Sequence, residues 1–314
     1  MKEKLVSFLV CPDCKHSLNL ATADWDGQEI VRGELRCTSC SAMFPIVRGI
    51  PRFVSTDAYV KNFSFQWNTH RTTQVDSLAG HAESGNTFRT KTGLNDAELN
   101  GKLVLDVGVG TGRFMEVANN LGAEVIGIDL SYAVDAAYVN MGRRAGVHVV
   151  QADVFRLPFR SETFDVIYSI GVLHHTPSTG KAFACLPHLL KRTGIVAIWV
   201  YVEAGEYSRR LDRVRTLTVH IPRFPLYTIC WIIVPLLQTM ARMPGLGQLA
   251  LHVPVSNQGR GLVWDVLDTF DAYSPRYQWK HTEAEVVDWF KDANLEDIRV
   301  LNFPVSVRGR KPHT

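Results

Sequence analysis

Four cysteines near the start of the chain form two close pairs, Cys11-Pro12-Asp13-Cys14 and Cys37-Thr38-Ser39-Cys40. One Cys-x-x-Cys turn grips one side of an ion with two thiolates, and a second turn supplies the other side. This spacing predicts a tetrahedral zinc site with Cys11, Cys14, Cys37 and Cys40 as ligands, set against four free thiols or two disulfides. A segment this short buries too little surface to fold alone, and structural zinc supplies on the order of ten kcal/mol. Four thiolates close the site and leave no open position for chemistry.

A second group of residues follows an apolar run. Val104-Leu105-Asp106-Val107 leads into Gly108-Val109-Gly110-Thr111-Gly112, a strand ending in a glycine-rich turn where the backbone can approach a ligand closely. Asp129 ends the next apolar run, Val125–Asp129, at the offset where a carboxylate accepts hydrogen bonds from the ribose hydroxyls of a bound nucleoside. A dinucleotide site sets a helix N-terminus under a pyrophosphate and uses the longer G-x-G-x-x-G. The spacing here is G-x-G-x-G, with an acid two residues before the first glycine. That suits S-adenosylmethionine (SAM), which has no phosphate and carries an ammonium that Asp106 can meet. A purely structural strand–turn–helix is the plainer alternative. Asp153, after the third run, is placed to accept from the adenine amine.

His174 and His175 follow the fourth run, Phe164–Ile170, at the edge where open α/β sheets bind ligands. An imidazole with an ordinary pKa of about 6.5 suits a general base; packing or capping is the competing role. Cys185 sits in an apolar stretch and reads as core. No Asn-Pro-Pro-aromatic segment follows the fourth run, which disfavours amino methylation of DNA bases or glutamine.

These groups need a scaffold. Apolar runs at Leu103–Val107, Val125–Asp129, Val147–Gln151, Phe164–Ile170 and Gly194–Val200 alternate with helical stretches, which predicts βαβ units and an α/β fold with a doubly wound, mostly parallel sheet. Five segments are expected: a small β-rich zinc ribbon over 1–54; a linker with helices over 55–99 whose Phe63, Phe65 and Trp67 cap the cleft; the core over 100–202; a helical lid insertion over 203–280; and a helix and strand pair over 281–314 completing the sheet. Within the insertion, Phe224–Ala241 carries no charge and follows a basic stretch (Arg209, Arg210, Arg213, Arg215, Arg223). A buried lid helix is the favoured reading, ahead of an interfacial helix touching a membrane through 209–243 and of a membrane span. Tyr273, Tyr277 and His281 are candidates for an acceptor pocket, with packing as the alternative. The N-terminus has too short an apolar stretch for a signal peptide, so a cytoplasmic protein is expected.

Two resemblances sharpen the reading. Residues 4–54, with Cys-Pro-x-Cys, Leu18, Gly33, Leu35, Phe44-Pro45-Ile46 and Gly49-Ile50-Pro51, resemble the zinc-ribbon family of tRNA methyltransferase activators. Residues 101–202 resemble the class I SAM-dependent methyltransferases of the type 11 group, through VLDVGVGTGRF, VIGIDLS, QADVFRLPF and FDVIYSIGVLHHTP. That likeness implies a Rossmann-like sheet and SAM as cofactor. It assigns Gly108, Gly110 and Gly112 to the methionine end, Asp129 to the ribose, Leu130, Asp153 and Val154 to the adenine, and Ile170 to backbone contact beside the methyl group. Val109 departs from the small residue common there, a position that the family's usual arrangement turns away from the ligand.

The net charge of +3 across 314 residues is no nucleic-acid footprint. The expectation is therefore methyl transfer to a small-molecule acceptor of apolar character, such as a lipid-linked or quinone-like molecule. The alternatives are an RNA methyltransferase gripping rRNA or tRNA with its ribbon, and a SAM-binding protein acting through a docked protein partner.

Overall fold

The computed structural model describes residues 1–203, 205–243, 247–250 and 252–313. The N-terminal ribbon is a four-stranded antiparallel sheet in sequential order, β1 (Leu18–Asp26), β2 (Glu29–Cys37), β3 (Met43–Val47) and β4 (Ile50–Pro51). Helices α1 (Lys61–Thr69), α2 (Asp76–Ala79), α3 (Glu83–Thr92) and α4 (Asp96–Leu99) then lead into the core.

The core alternates β5 (Leu103–Val107), α5 (Arg113–Asn120), β6 (Glu124–Asp129), α6 (Ala133–Met141), β7 (Val147–Gln151), β8 (Phe164–Ile170), α7 (Thr179–Ala184) and β9 (Leu190–Trp199). An insertion follows with α8 (Gly205–Thr218), α9 (Arg223–Ala241), α10 (Gly247–Ala250) and α11 (Leu262–Tyr273). The chain closes with α12 (Glu283–Asp292), β10 (Glu296–Val300) and β11 (Ser306–Arg310). The seven-stranded sheet runs β10-β11-β9-β8-β5-β6-β7. Its five strands from β9 to β7 are parallel, and β11 and β10 pair antiparallel at one edge. The fully apolar runs seen in the sequence become strands buried on both faces, as a helix-covered parallel sheet requires. Strand order reverses between β5 and β8, which opens a crevice at their carboxyl ends.

The ribbon is built into the other edge. Arg52, just past β4, pairs in parallel with Gln151 of β7, and the Phe53 amide donates to the Gln151 carbonyl at 2.8 Å. The Arg52 guanidinium donates to Gln151 Oε1 and Asp135, both at 2.7 Å. Leu9, Ile30, Leu35 and Phe53 share one hydrophobic core with Ile128, Val150 and Phe159. Much of the ribbon's apolar surface is therefore spent against its own chain.

The expectation that Phe224–Ala241 forms a buried helix needs correction. Helix α9 turns Leu226, Cys230 and Val234 inward against Val266 and Phe270 of α11, but Phe224, Ile232 and Leu236 are exposed. It is long and apolar enough to cross a membrane by length and composition, yet only one stripe of it is buried.

Candidate functional site

At the end of β5 the chain turns through Gly108, Gly110 and Gly112, all with positive φ (86°, 51° and 89°). The amides of Gly108 and Val109 both donate to the Ile128 carbonyl at 2.8 Å, which ties the turn to the end of β6. A Cβ on Gly108 would stand 2.2 Å from Val172, so that glycine is demanded by packing. A Cβ on Gly110 would meet nothing nearer than Trp67 at 3.8 Å. Its backbone faces open space, as a ligand-cradling position must.

That space is one cavity of about 940 Å³, at the upper end of the range for small-molecule sites. Gly108, Gly110, Asp129, Leu130, Asp153, Val154 and Ile170 all line it, while Gly112 supports the turn from behind against Met141. Asp129 accepts from the Gly110 amide on Oδ2 (3.1 Å) and from the Ser131 amide and hydroxyl on Oδ1 (2.8 and 2.7 Å). Three of a carboxylate's roughly four acceptor positions are engaged, leaving about one free. Burial raises the Asp129 pKa, and those three donors oppose it. Asp153 accepts from the Phe155 amide at 3.0 Å, fixing the turn after β7.

Asp106 lies one layer deeper and is not part of the cavity wall. Its Oδ2 has no hydrogen-bond partner. Burial pushes its carboxyl up to about 7, with the Tyr168 hydroxyl opposing and the Asp129 charge adding to the rise. An open glycine cradle with an acid at the next strand end is the shape and polarity that a nucleoside such as SAM requires.

Beyond the cradle the cavity continues into a chamber lined by Lys91, Arg113, Trp199, Tyr201, Trp264 and Phe303, with Asp268 and the 254–258 loop. The Tyr201 hydroxyl donates to Asp271 at 3.3 Å, and Asp271 also accepts from Gln66 at 2.9 Å. These bonds hold α1, α11 and the end of β9 together. Lys91 Nζ stands over the Trp199 ring. Burial, helped by Arg113 and Arg260, brings its amine down to about 7 against the pull of Asp268. Burial, with Asp271 beside it, lifts Asp268 to about 7 as well.

The two adjacent histidines separate. His175 lines the cavity. Its Nδ1 lies 2.8 Å from the Tyr277 carbonyl, which can only accept, so Nδ1 carries the proton and Nε2 keeps a lone pair. Burial lowers its pKa while Asp271 opposes. His174 is corrected from candidate base to core residue. It is fully buried, absent from the cavity wall, and stacked on Tyr201 with centroids 3.9 Å apart. Burial holds its pKa well below the usual value.

The expected acceptor residues are corrected too. Tyr273 is buried in the insertion's core, where its hydroxyl donates to the Pro254 carbonyl. His281 is tied to Thr179 (2.8 Å) and Glu285 (2.9 Å), and Tyr277 packs edge-on against Tyr59. None of the three lines the cavity. Of the linker aromatics, Phe63 and Trp67 do, four residues apart on one face of α1, while Phe65 points to Phe224, Tyr227 and Phe270. Sequence reasoning missed Lys91, Trp199, Tyr201 and Trp264. Trp199 and Tyr201 were findable, since they stand at the carboxyl end of a core strand; Lys91 near a helix end carried no signal.

In the ribbon, the thiol sulfurs of Cys11, Cys14, Cys37 and Cys40 all lie within 4.8 Å of one another. Three of the gaps are 3.4 to 3.6 Å. Tetrahedral thiolates at 2.3 Å from zinc stand roughly 3.8 Å apart, so the donor set fits that ion.

Residues 105–198 match the family model described as Methyltransferase domain, and residues 2–49 match Trm112p-like protein. The chain is 40% identical over 114 residues to the Probable tRNA methyltransferase 9B of Mus musculus, covering 35% of this chain and 24% of that one. It is 33% identical over 143 residues to the tRNA (carboxymethyluridine(34)-5-O)-methyltransferase alkbh8 of Xenopus tropicalis, covering 44% and 22%. It is 34% identical over 110 residues to the Ubiquinone biosynthesis O-methyltransferase of Pasteurella multocida, covering 31% and 46%. Each match spans less than half of the relative's own length.

Proposed function

We propose that this chain, a SAM-dependent methyltransferase carrying a Trm112p-like zinc ribbon ahead of its methyltransferase domain, methylates a small acceptor held in the aromatic chamber next to the cofactor cradle. The observation that carries this reading is the single cavity joining Gly110 and Asp129 at one end to Lys91, Trp199 and Trp264 at the other. Its volume leaves room for a second molecule beside the cofactor.

When bound, SAM supplies an activated methyl group on a sulfonium. The chain's own residues do the rest. Asp129, Asp153, Leu130 and Val154 hold the nucleoside; the glycine turn receives the amino acid end, with Asp106 one layer behind it; Ile170 and Gly171 border the reacting region. Trp199, Tyr201, Trp264 and Phe303 keep water away from the acceptor and favour an aromatic or otherwise apolar one. Lys91 and His175 are the wall groups able to take a proton from an acceptor hydroxyl or amine, and both have their pKa brought toward or below neutrality by burial. A base so tuned contributes about 10²–10⁴-fold.

A second reading is methyl transfer to RNA. It is favoured by the likeness to proteins named tRNA methyltransferases and by the Trm112p-like match; a base turned out of its stack would occupy the same chamber between the same rings.

The experiment is an acceptor screen with methyl-labelled SAM on an extract divided into lipid and quinone, polar metabolite, glycan and RNA fractions. Label in a small molecule supports the first reading. Label confined to RNA replaces it with the second.

A further inference from the structure

We infer that the outer face of the insertion is a membrane-docking surface for anionic lipid, with α9 lying flat in the headgroup region. On α9, Leu226, Cys230 and Val234 recur every fourth residue and are buried. Phe224, whose ring meets Phe65 edge-on at 5.0 Å, Ile232 and Leu236 follow the same period shifted by two positions, on the side away from Leu226, Cys230 and Val234. They are 61%, 61% and 54% exposed. Trp231, at the side of this ridge, is also exposed. An apolar ridge of this length on an otherwise finished fold marks an interaction site.

Charge selects the occupant. From residue 213 to residue 264 the chain contains five arginines and no aspartate or glutamate; Arg215 and Arg260 pair with Asp212 and Glu83, which leaves Arg213, Arg223 and Arg242 without a carboxylate partner among the described residues. Arg213 on α8 and Arg242 at the end of α9 are exposed at the two ends of this region. Arginines flanking an apolar helix face match a lipid surface that is apolar within and negative at its headgroups. RNA would match the arginines but leave Phe224, Ile232 and Leu236 in water. A membrane span would have to pull Leu226, Cys230 and Val234 away from Val266 and Phe270, undoing the core of the insertion.

The placement also has a use. Helix α9 packs on one side of α11, and the other side of α11 presents Trp264 and Asp268 to the cavity. The 254–258 loop, which follows the α9–α10 segment, lines the same cavity. The docked face and the acceptor chamber are one helix apart. The inference rests on the ridge and the charge pattern and stands for either acceptor class.

The test is flotation of the full chain with vesicles of phosphatidylcholine alone and of phosphatidylcholine mixed with phosphatidylglycerol. The expected result is at least roughly tenfold stronger partition to the anionic vesicles, weakened by salt. The double variant Ile232→Asp, Leu236→Asp should reduce that partition by roughly tenfold or more while circular dichroism and Tm stay as in the parent. Arg213→Gln with Arg242→Gln should weaken binding to anionic vesicles only. No preference for anionic lipid, or undiminished binding by a folded Asp variant, overturns the inference. So does retention on vesicles after a carbonate wash, which marks a span. Concentration-dependent dimers or tRNA binding through this ridge, without vesicle binding, would also overturn it in favour of a second copy or a nucleic acid.

Discussion

Lys91 Nζ lies 3.2 Å from the centroid of the Trp199 ring and 4.9 Å from that of Phe303, and it pairs with no carboxylate among the described residues. An amine so placed, with its pKa lowered to about 7, exchanges its proton within the physiological range. Lys91→Met is expected to lower kcat by about 100-fold or more and to leave the SAM dissociation constant unchanged. The parent's rate should rise with pH up to about 7, and the variant should lack that limb. A pH–rate profile of both proteins checks this; an unchanged limb in the variant would hand the base role to His175.

The same shift sets a stability slope. A lysine whose folded pKa lies below its unfolded value binds fewer protons when folded, so stability rises with pH between about 7 and the unfolded value near 10.4. Below 7 the contribution is constant. Tm measured across this window should climb more steeply for the parent than for Lys91→Met, and equal slopes would show that the amine is not desolvated.

Asp106 gives the opposite sign. Its folded carboxyl, raised to about 7, keeps a proton that the unfolded chain has lost, so it costs stability as pH climbs from about 4 to 7. If the cofactor's ammonium draws out the ionised form, SAM affinity rises toward pH 7 by at most tenfold per unit and levels off above it. Calorimetry in two buffers of different ionisation enthalpy should detect proton release on binding near pH 6, absent in Asp106→Asn.

Asp129→Ala removes the acceptor for any ribose hydroxyl together with the anchor of Gly110 and Ser131. A hydrogen bond to a charged group is worth about 1.5–3 kcal/mol, so SAM binding should weaken by roughly 10- to 100-fold or more. Unchanged affinity by calorimetry would exclude the assignment.

Because the ribbon shares its core with β6 and β7, zinc loss should be felt beyond it. Cys37→Ser, or a strong chelator, is expected to release zinc and lower Tm by several degrees, since each kcal/mol shifts Tm by about 2–4 °C in a domain of this size. Metal analysis and a melting curve check it; full zinc content in the variant would break the four-cysteine assignment.

His174→Ala should behave as a core truncation. It should cost about 2–4 kcal/mol of stability while the pH limb of activity stays where it is, whereas His175→Ala changes a group on the cavity wall.

Sequence alone was enough to bring the glycine turn and its acids to one cavity and the four cysteines to one cluster. Each is made by a short contiguous turn: backbone amides and one acid per strand end at Gly108–Gly112, Asp129 and Asp153, and two thiols per Cys-x-x-Cys. Local geometry follows local sequence there, and alternating apolar runs fixed the sheet that carries them. The chamber was decided only by tertiary structure. Lys91, Trp199, Trp264 and Phe303 come from four distant segments, and nothing in their own neighbourhoods says that they converge. His174 and His175 are chemically alike and adjacent, but one tight turn sends one ring behind Tyr201 and the other into the cavity. On α9 a uniformly apolar sequence could not say which stripe would be covered. Packing against α11 chose Leu226, Cys230 and Val234, and left Ile232 and Leu236 facing outward.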